Sequence, residues 1–163
     1  MLPRMIVFTL FHVIISLIGI ATGFVVVVRG FFHARLLNCW TKWFLVTTLA
    51  TDLTGFLFPV KHFMPSHAVG ILSSLILVVA LLAKYRKHLA GKWRATYVVT
   101  AVVALDLNVF VLIAQLFQKV PALHTLAPTG TEPPFAIAQG VNLLLFVGLG
   151  VASVIKFKPV PDL

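Results

Sequence analysis

The chain has 163 residues, of which 60% are hydrophobic and only 10% are charged, and its mean hydropathy is +1.06. Polar side chains are too few to cover the surface of a water-soluble domain of this length, so the composition excludes a soluble fold. The net charge of +9 lies in short basic runs between apolar segments, without a nucleic-acid-binding motif, which makes the lipid bilayer and not nucleic acid the expected partner.

Five apolar segments are long enough to cross a bilayer as helices, for which about 20 residues are needed. In chain order they cover residues 5–29, 40–60, 66–84, 95–118 and 134–156. The first continues apolar to Val28 and lacks a small-residue cleavage site after a short core, so we interpret it as a retained helix and not a signal peptide. The sequence thus predicts an all-α integral membrane bundle in which residues 1–163 form one transmembrane domain of five helices.

The basic residues are distributed unequally between the two ends of the predicted helices. Ten fall on one side, namely Arg29, Arg35, Lys42, Lys84, Arg86, Lys87, Lys92, Arg94, Lys156 and Lys158. Three fall on the other side, namely Arg4, Lys61 and Lys119. Under the positive-inside rule the richer side is cytoplasmic, which predicts an external amino terminus and a cytoplasmic carboxyl terminus.

Polar and small residues share one face of each predicted helix, and we expect these faces to turn inward. In the first helix His12 and Ser16 share a stripe with Gly19 and Gly23, whose Gly-x-x-x-Gly step permits close helix approach. The corresponding residues of the other helices are Thr48, Asp52, His67, Ser74, Asn108, Gln115, Gln139 and Asn142. Small residues of the last helix, Ala136, Gly140, Gly148 and Ala152, are also expected to pack inward.

Two aspartates lie in the predicted membrane interior. Asp52 and Asp106 each lie about 15 to 17 Å above the cytoplasmic start of their helix at 1.5 Å per residue, so we expect both near the midplane at one depth. No lysine or arginine lies at that depth, which leaves protonation, a bound cation, or hydrogen bonds from hydroxyls such as those of Thr48 and Thr51. Such a pair is typical of a proton relay or cation site, and the alternatives are neutral acids hydrogen-bonded between helices or one acid facing a partner subunit.

The fourth predicted helix is polar on two opposite sides. Asp106 lies about 200° of helical rotation from Asn108, whereas Asn108 and Gln115 are on the same face. A helix that is polar on two sides favours contacts with a partner subunit.

Four histidines are predicted toward the external side, namely His12, His62, His67 and His124. Imidazole with thioether suits copper, imidazole with carboxylate suits zinc, and two imidazoles from facing helices suit a b-type haem. His12 and His67 are the leading ligands, although no His-x-x-x-His motif is present and His12 lies about 10 Å deeper by helix rise. The alternative is a hydrogen-bonded interior His12, with His62 and His124 interfacial or solvated.

The longest connection, residues 119–133, contains three prolines and is either a lid over a cavity or a stiff connector along the membrane surface. Glu132 is followed by Pro133 and Pro134, which predicts the start of the last helix with an acid at its positive end.

Four segments, FHVIISLIGIATGFVVVVRG, TGFLFP, LNVFVLIAQLFQKVPALH and EPPFAIAQ, resemble those of a family of small multi-pass proteins of bacterial inner membranes whose activity is uncharacterised. The resemblance implies a location in the bacterial cytoplasmic membrane and a multi-helix plan. It transfers no activity and no functional residue.

Enzyme signatures are absent from the sequence, which has no phosphate-binding loop, Gly-x-Ser-x-Gly elbow or His-Glu-x-x-His motif, so catalysis is unsupported. The leading hypothesis is a non-enzymatic membrane protein that binds or passes a small ligand or proton through a polar interior, within a larger complex or a homo-oligomer. A membrane redox subunit binding haem b or copper, and a purely structural accessory subunit, are the alternatives.

Overall fold

The computed structural model describes residues 2–58 and 65–158, with side chains for residues 4–58 and 67–158. Its α-helices are α1 (Leu2–Val25), α2 (Asn38–Phe56), α3 (Pro65–Leu81), α4 (Lys92–Lys119), α5 (Pro121–His124) and α6 (Pro133–Lys156). A π-helical turn, Val26–Gly30, and a 3₁₀ turn, Phe31–His33, prolong α1, and a second π-helical turn, Leu82–Arg86, prolongs α3. The described residues contain no strand, so the all-α prediction is confirmed.

Four described helices are long and apolar enough to cross a bilayer, namely Arg4–His33, His67–Arg86, Lys92–Lys119 and Pro133–Lys156. They correspond to the first, third, fourth and fifth predicted spans. The predicted span 40–60 corresponds to α2, which is not among the four. Its sequence, NCWTKWFLVTTLATDLTGF, is less apolar because polar residues interrupt it.

Helices α1 to α4 form a ring in which each packs against the next, and α1 also contacts α4. Helices α1 and α2 are antiparallel, because His12 lies near Thr54 and Gly19 lies near Thr48. Helix α6 lies outside the ring and packs mainly on α4. Only 11% of the most apolar stretch of α6 is buried, against 33% for α1, so α6 is the peripheral helix.

The glycines of α1 lie where neighbouring helices approach most closely. A Cβ atom at Gly23 would come within 2.7 Å of Leu105 Cδ1 and 2.9 Å of Phe44 Cε2. One at Gly19 would come within 3.3 Å of Thr48 Oγ1. The predicted close approach through the Gly-x-x-x-Gly step is therefore confirmed, with α2 and α4 as the neighbours.

The glycines of α6 behave differently. Apart from chain neighbours and the backbone of α6 itself, no described heavy atom lies within 4 Å of a Cβ built at Gly140 or Gly148, so the expectation that they pack inward is wrong. The inner side of α6 carries Asn142, Phe146 and Ser153 instead, which are all buried. Because α6 has the ring on one side only, most of its circumference faces outward.

One end of the bundle gathers most of the basic residues. At this end Lys84 Nζ donates a hydrogen bond to Asn38 Oδ1 at 2.9 Å, and Lys156 Nζ lies 4.8 Å from the centre of the Phe32 ring. These contacts, with those of Arg94 to α6, bring the carboxyl ends of α1, α3 and α6 beside the amino ends of α2 and α4. The ten basic residues of the richer side belong to these ends or their connections. We refer to it as the basic end.

Candidate functional site

Hydrogen bonds join the helices at several separate places in the bundle. Among the acids with described side chains, Asp52 on α2 is the most buried. Asp52 is 8% exposed, and its carboxylate accepts hydrogen bonds from the hydroxyls of Ser73 and Ser74 on α3, with 3.4 Å between Ser74 Oγ and Oδ2. Of the two threonines expected as donors, Thr51 Oγ1 donates to Thr47 O at 2.9 Å, and Thr48 Oγ1 is bonded to α4. A helical threonine reaches the carbonyl one turn back more readily than a neighbouring side chain.

A second hydrogen bond joins α2 to α4. Asn108 Nδ2 donates to Thr48 Oγ1 at 3.3 Å, and the Thr48 side chain is fully buried. Both residues were predicted on the inner faces of their helices, and the structure brings them together. Since α2 and α4 are two helices apart in an alternating bundle, they run in the same direction.

The opposite side of α4 is bonded to α6. Asn142 Nδ2 donates to Asp106 Oδ1 at 2.6 Å, and Gln139 Nε2 donates to Phe110 O at 3.0 Å. The two polar sides of α4 therefore meet two different helices of the same chain. Gln139 Oε1 is buried and has no partner among the residues with described side chains.

The structure separates Asp52 from Asp106. The contact between Thr48 and Asn108 puts these two residues at the same depth in the bundle. Asp52 lies four residues after Thr48, and Asp106 lies two residues before Asn108. Because α2 and α4 run in the same direction, the two acids are about 9 Å apart along the bundle at 1.5 Å per residue. The expectation of two acids at one depth is therefore wrong. Counting from the helix starts gave equal depths, but α4 begins further out at the basic end than α2 does.

The histidines have separate surroundings. His12 Nδ1 lies 2.8 Å from Thr54 Oγ1, and its ring meets Phe58 edge-on, whereas the His67 ring stacks on Phe56 with 6.3 Å between ring centres. His124 is exposed on α5, and His62 lies outside the described residues. In the described ranges no three His, Cys, Asp or Glu side chains gather as a metal site. For His12 this geometry matches the interior, hydrogen-bonded alternative.

Two further residues predicted for the interior do not join the other polar groups. Ser16 Oγ donates to Val13 O of its own helix at 2.8 Å. Gln115 is half-buried, and no hydrogen bond joins it to another residue of ranges 2–58 and 65–158.

Two depressions on the outer surface are lined by other residues. One, of about 480 Å³, is lined by Arg4, Val7, Phe8 and Phe11, and the other, of about 300 Å³, lies on the π-helical end of α3. Their walls are almost entirely apolar. Neither Asp52 nor any histidine lines them, so the predicted ligand residues do not open into these spaces.

Comparisons with known proteins give no guide to the function. No protein-family model matches the chain, and searches of curated proteins and of solved structures found no match either. No activity, cofactor or partner of a relative is therefore transferred to it.

The connection before α6 is organised by Glu132. Its Oε1 accepts from the Thr129 amide at 3.0 Å and the Thr129 hydroxyl at 2.9 Å, and its Oε2 accepts from the Thr131 amide at 3.0 Å. The hydrogen bonds from these donors lower the pKa of Glu132 from 4.5 to about 2, and the bond from the Thr129 amide has the largest effect. The predicted helix start is confirmed, since α6 begins at Pro133. The carboxylate itself turns back to the connection and makes no capping bond to α6.

We predict that the order of residues 129–132 depends on pH. Because the pKa of folded Glu132 lies below 4.5, these hydrogen bonds contribute stability fully above pH 4.5 and lose it as the pH falls through about 2. Amide chemical shifts of Thr129 and Thr131, measured by NMR in micelles, should titrate with a midpoint near 2. Glu132→Gln should remove the titration, and a midpoint near 4.5 in the unmodified chain would contradict the prediction.

Proposed function

We propose that this chain is a non-enzymatic structural subunit of a bacterial inner membrane, in which the interior polar residues hold five membrane-spanning helices together. The observation that carries the proposal is that most polar residues of the predicted interior bond to a neighbouring helix. These bonds join α1 to α2, α2 to α3, α2 to α4, and α4 to α6. Interhelical bonds of this kind stabilise membrane bundles by about 0.6 kcal/mol each on average.

The position of α2 supports a fifth span. Its 19 residues extend about 28 Å at 1.5 Å per residue, close to the thickness of the hydrocarbon core. One end of α2 meets Lys84 through Asn38 and the other meets His12 through Thr54, so α2 extends from the basic end to the level of His12. Its acid is covered by α3, which removes the main obstacle to a membrane location.

Five spans place the two termini on opposite sides of the membrane. Since the basic end carries ten of the thirteen lysines and arginines, the positive-inside rule makes it cytoplasmic. The amino terminus is then external and the carboxyl terminus cytoplasmic.

A second candidate function is proton binding at Asp52. It is favoured by one observation, namely that the buried carboxyl has two serine hydroxyls as partners and no described lysine or arginine bonded to it. A hydroxyl can donate to a carboxylate or accept from a carboxylic acid, so this site accommodates both protonation states. A relay between Asp52 and Asp106 has less support, because the two acids face different helices.

The redox alternative stays a prediction. His12 and His67 would have to leave their present partners on α2, Thr54 and Phe56, to share a haem or a copper ion. An optical spectrum and a metal assay of protein purified from native membranes test it, since a Soret band or stoichiometric copper would favour it over a structural role.

The proposed function is tested first by separating the charge of Asp52 from its hydrogen bonds. Asp52→Asn keeps an acceptor for Ser73 and Ser74, so the thermal stability of the purified protein should be unchanged, whereas Asp52→Leu should lower it.

Liposomes containing the wild-type protein should lose an imposed pH gradient no faster than empty liposomes. If the wild type dissipates the gradient and folded Asp52→Asn does not, proton binding and release at Asp52 during passage across the membrane replace the structural role, with Asp106→Asn as the matched control.

The subunit role requires a partner, which a second experiment tests. Mild solubilisation of native membranes in lipid nanodiscs should recover this chain with a partner in fixed stoichiometry. Recovery of the chain alone, as a monomer, would contradict its role as an accessory subunit.

A further inference from the structure

The outer face of α3 carries an apolar groove that ends at a cation. The groove, of about 300 Å³, is lined by Val78, Leu81, Leu82, Tyr85 and Arg86. Val78, Leu82 and Tyr85 are each about half exposed, so the groove opens away from the bundle. These positions recur at three to four residues and form one face of the helix. A shallow apolar depression beside a guanidinium matches an acyl chain joined to an anionic head group.

The π-helical turn Leu82–Arg86 determines which basic side chain lines the groove. Within this turn Ala83 and Lys84 are buried, and Lys84 Nζ is bonded to Asn38 inside the bundle. Arg86 remains exposed on the outer side, beside the groove. Of the two basic residues in this turn, Lys84 is therefore internal and Arg86 faces outward.

The charge around the groove favours an anion. The acids with described side chains are Asp52, Asp106 and Glu132, and none of them belongs to the basic end. The larger depression on α1 also includes an arginine, Arg4, but its end of the bundle carries only three basic residues in all. Electrostatic complementarity thus distinguishes the groove on α3 from the one on α1.

We propose that the groove on α3 binds one anionic phospholipid, with an acyl chain along Val78, Leu81 and Leu82 and the phosphate on Arg86. A guanidinium binds phosphate through paired, charge-assisted hydrogen bonds, and each basic group near a membrane surface strengthens anionic-lipid binding about fivefold. This inference does not depend on the proposed structural role, because it concerns the outward surface of one helix.

The test is lipid binding to the full chain in detergent, followed by native mass spectrometry with phosphatidylglycerol and phosphatidylcholine of identical acyl chains. We expect one phosphatidylglycerol to be retained, with an affinity at least about fivefold above that for phosphatidylcholine. Arg86→Gln should remove most of this preference. The matched control is Arg35→Gln, which removes the same charge from an exposed residue at the basic end but outside the groove.

A second pair of variants tests the acyl-chain contact. Val78→Trp fills the groove and should abolish the retained lipid, whereas Leu75→Trp adds the same bulk at an exposed position outside the groove. Equal losses with Arg86→Gln and Arg35→Gln would reduce the effect to overall charge and overturn the proposal. Unchanged binding in Val78→Trp, or equal competition by inorganic phosphate, would overturn it as well.

Discussion

Replacing Gly23 with valine is expected to destabilise the bundle by about 3 kcal/mol, at the upper end of the range for overpacked interiors. The first added carbon already comes within 2.7 Å of Leu105 Cδ1 and 2.9 Å of Phe44 Cε2, and the two further methyl groups leave no relaxed position. Helices α1, α2 and α4 would have to separate, and the ring they form with α3 would loosen. The free energy of unfolding in a detergent titration measures the effect.

The control for this substitution is Gly140→Val on α6. It introduces the same β-branched residue into a helix, but no described atom of another helix lies within 4 Å of the new Cβ. Its expected effect is within about 0.5 kcal/mol, as for other surface substitutions. Equal losses at both positions would assign the effect to helix propensity and would exclude close approach as the role of Gly23.

Phe157→Ala is expected to cost about 3 kcal/mol, the low end of the range for a buried phenylalanine. The Phe157 side chain is fully buried just after α6, with its ring 4.9 Å from that of Phe31 and the Phe31 ring 5.7 Å from that of Tyr97. Removing the ring leaves a cavity between the ends of α1, α4 and α6. The low end of the range applies because lipid solvates an exposed ring better than water does.

The thermal unfolding temperature of the purified variant tests this expectation, with Phe11→Ala as the control. Phe11 is 54% exposed on the outer face of α1, so its removal creates no internal cavity. We expect Phe157→Ala to unfold at a clearly lower temperature than Phe11→Ala. A similar small change in both variants would show that the aromatic cluster does not hold the end of α6.

Helix bounds were largely predictable because they depend on local sequence. The predicted spans 95–118 and 134–156 match Lys92–Lys119 and Pro133–Lys156 closely, since hydrophobic length and the flanking lysines and prolines lie within each segment. The inner faces of α2 and α4 were also predictable, because a helical period places Thr48 and Asn108 on definite sides of their helices. The two polar sides of α4 follow from the same period.

The pairing of side chains was not predictable, because it depends on how far one helix is shifted along another. No single segment specifies that α4 begins further out than α2, and this shift separates Asp52 from Asp106. On α3, Ser73 also lies beside Asp52, although only Ser74 is expected on the inner face from the sequence. Whether Gly140 packs inward depends on how many neighbours α6 has, which its own sequence does not state.

The closed ring of α1 to α4 has a consequence for biogenesis. All mutual contacts of these four helices lie within the first 119 residues, so they can assemble while the rest of the chain is still being synthesised. The last helix, α6, then packs against the exposed side of α4. The side-chain amides of Gln139 and Asn142 donate hydrogen bonds to α4, and Arg94 of α4 donates to the carboxyl end of α6. Until α6 has docked, Asp106 lacks the hydrogen bond from Asn142.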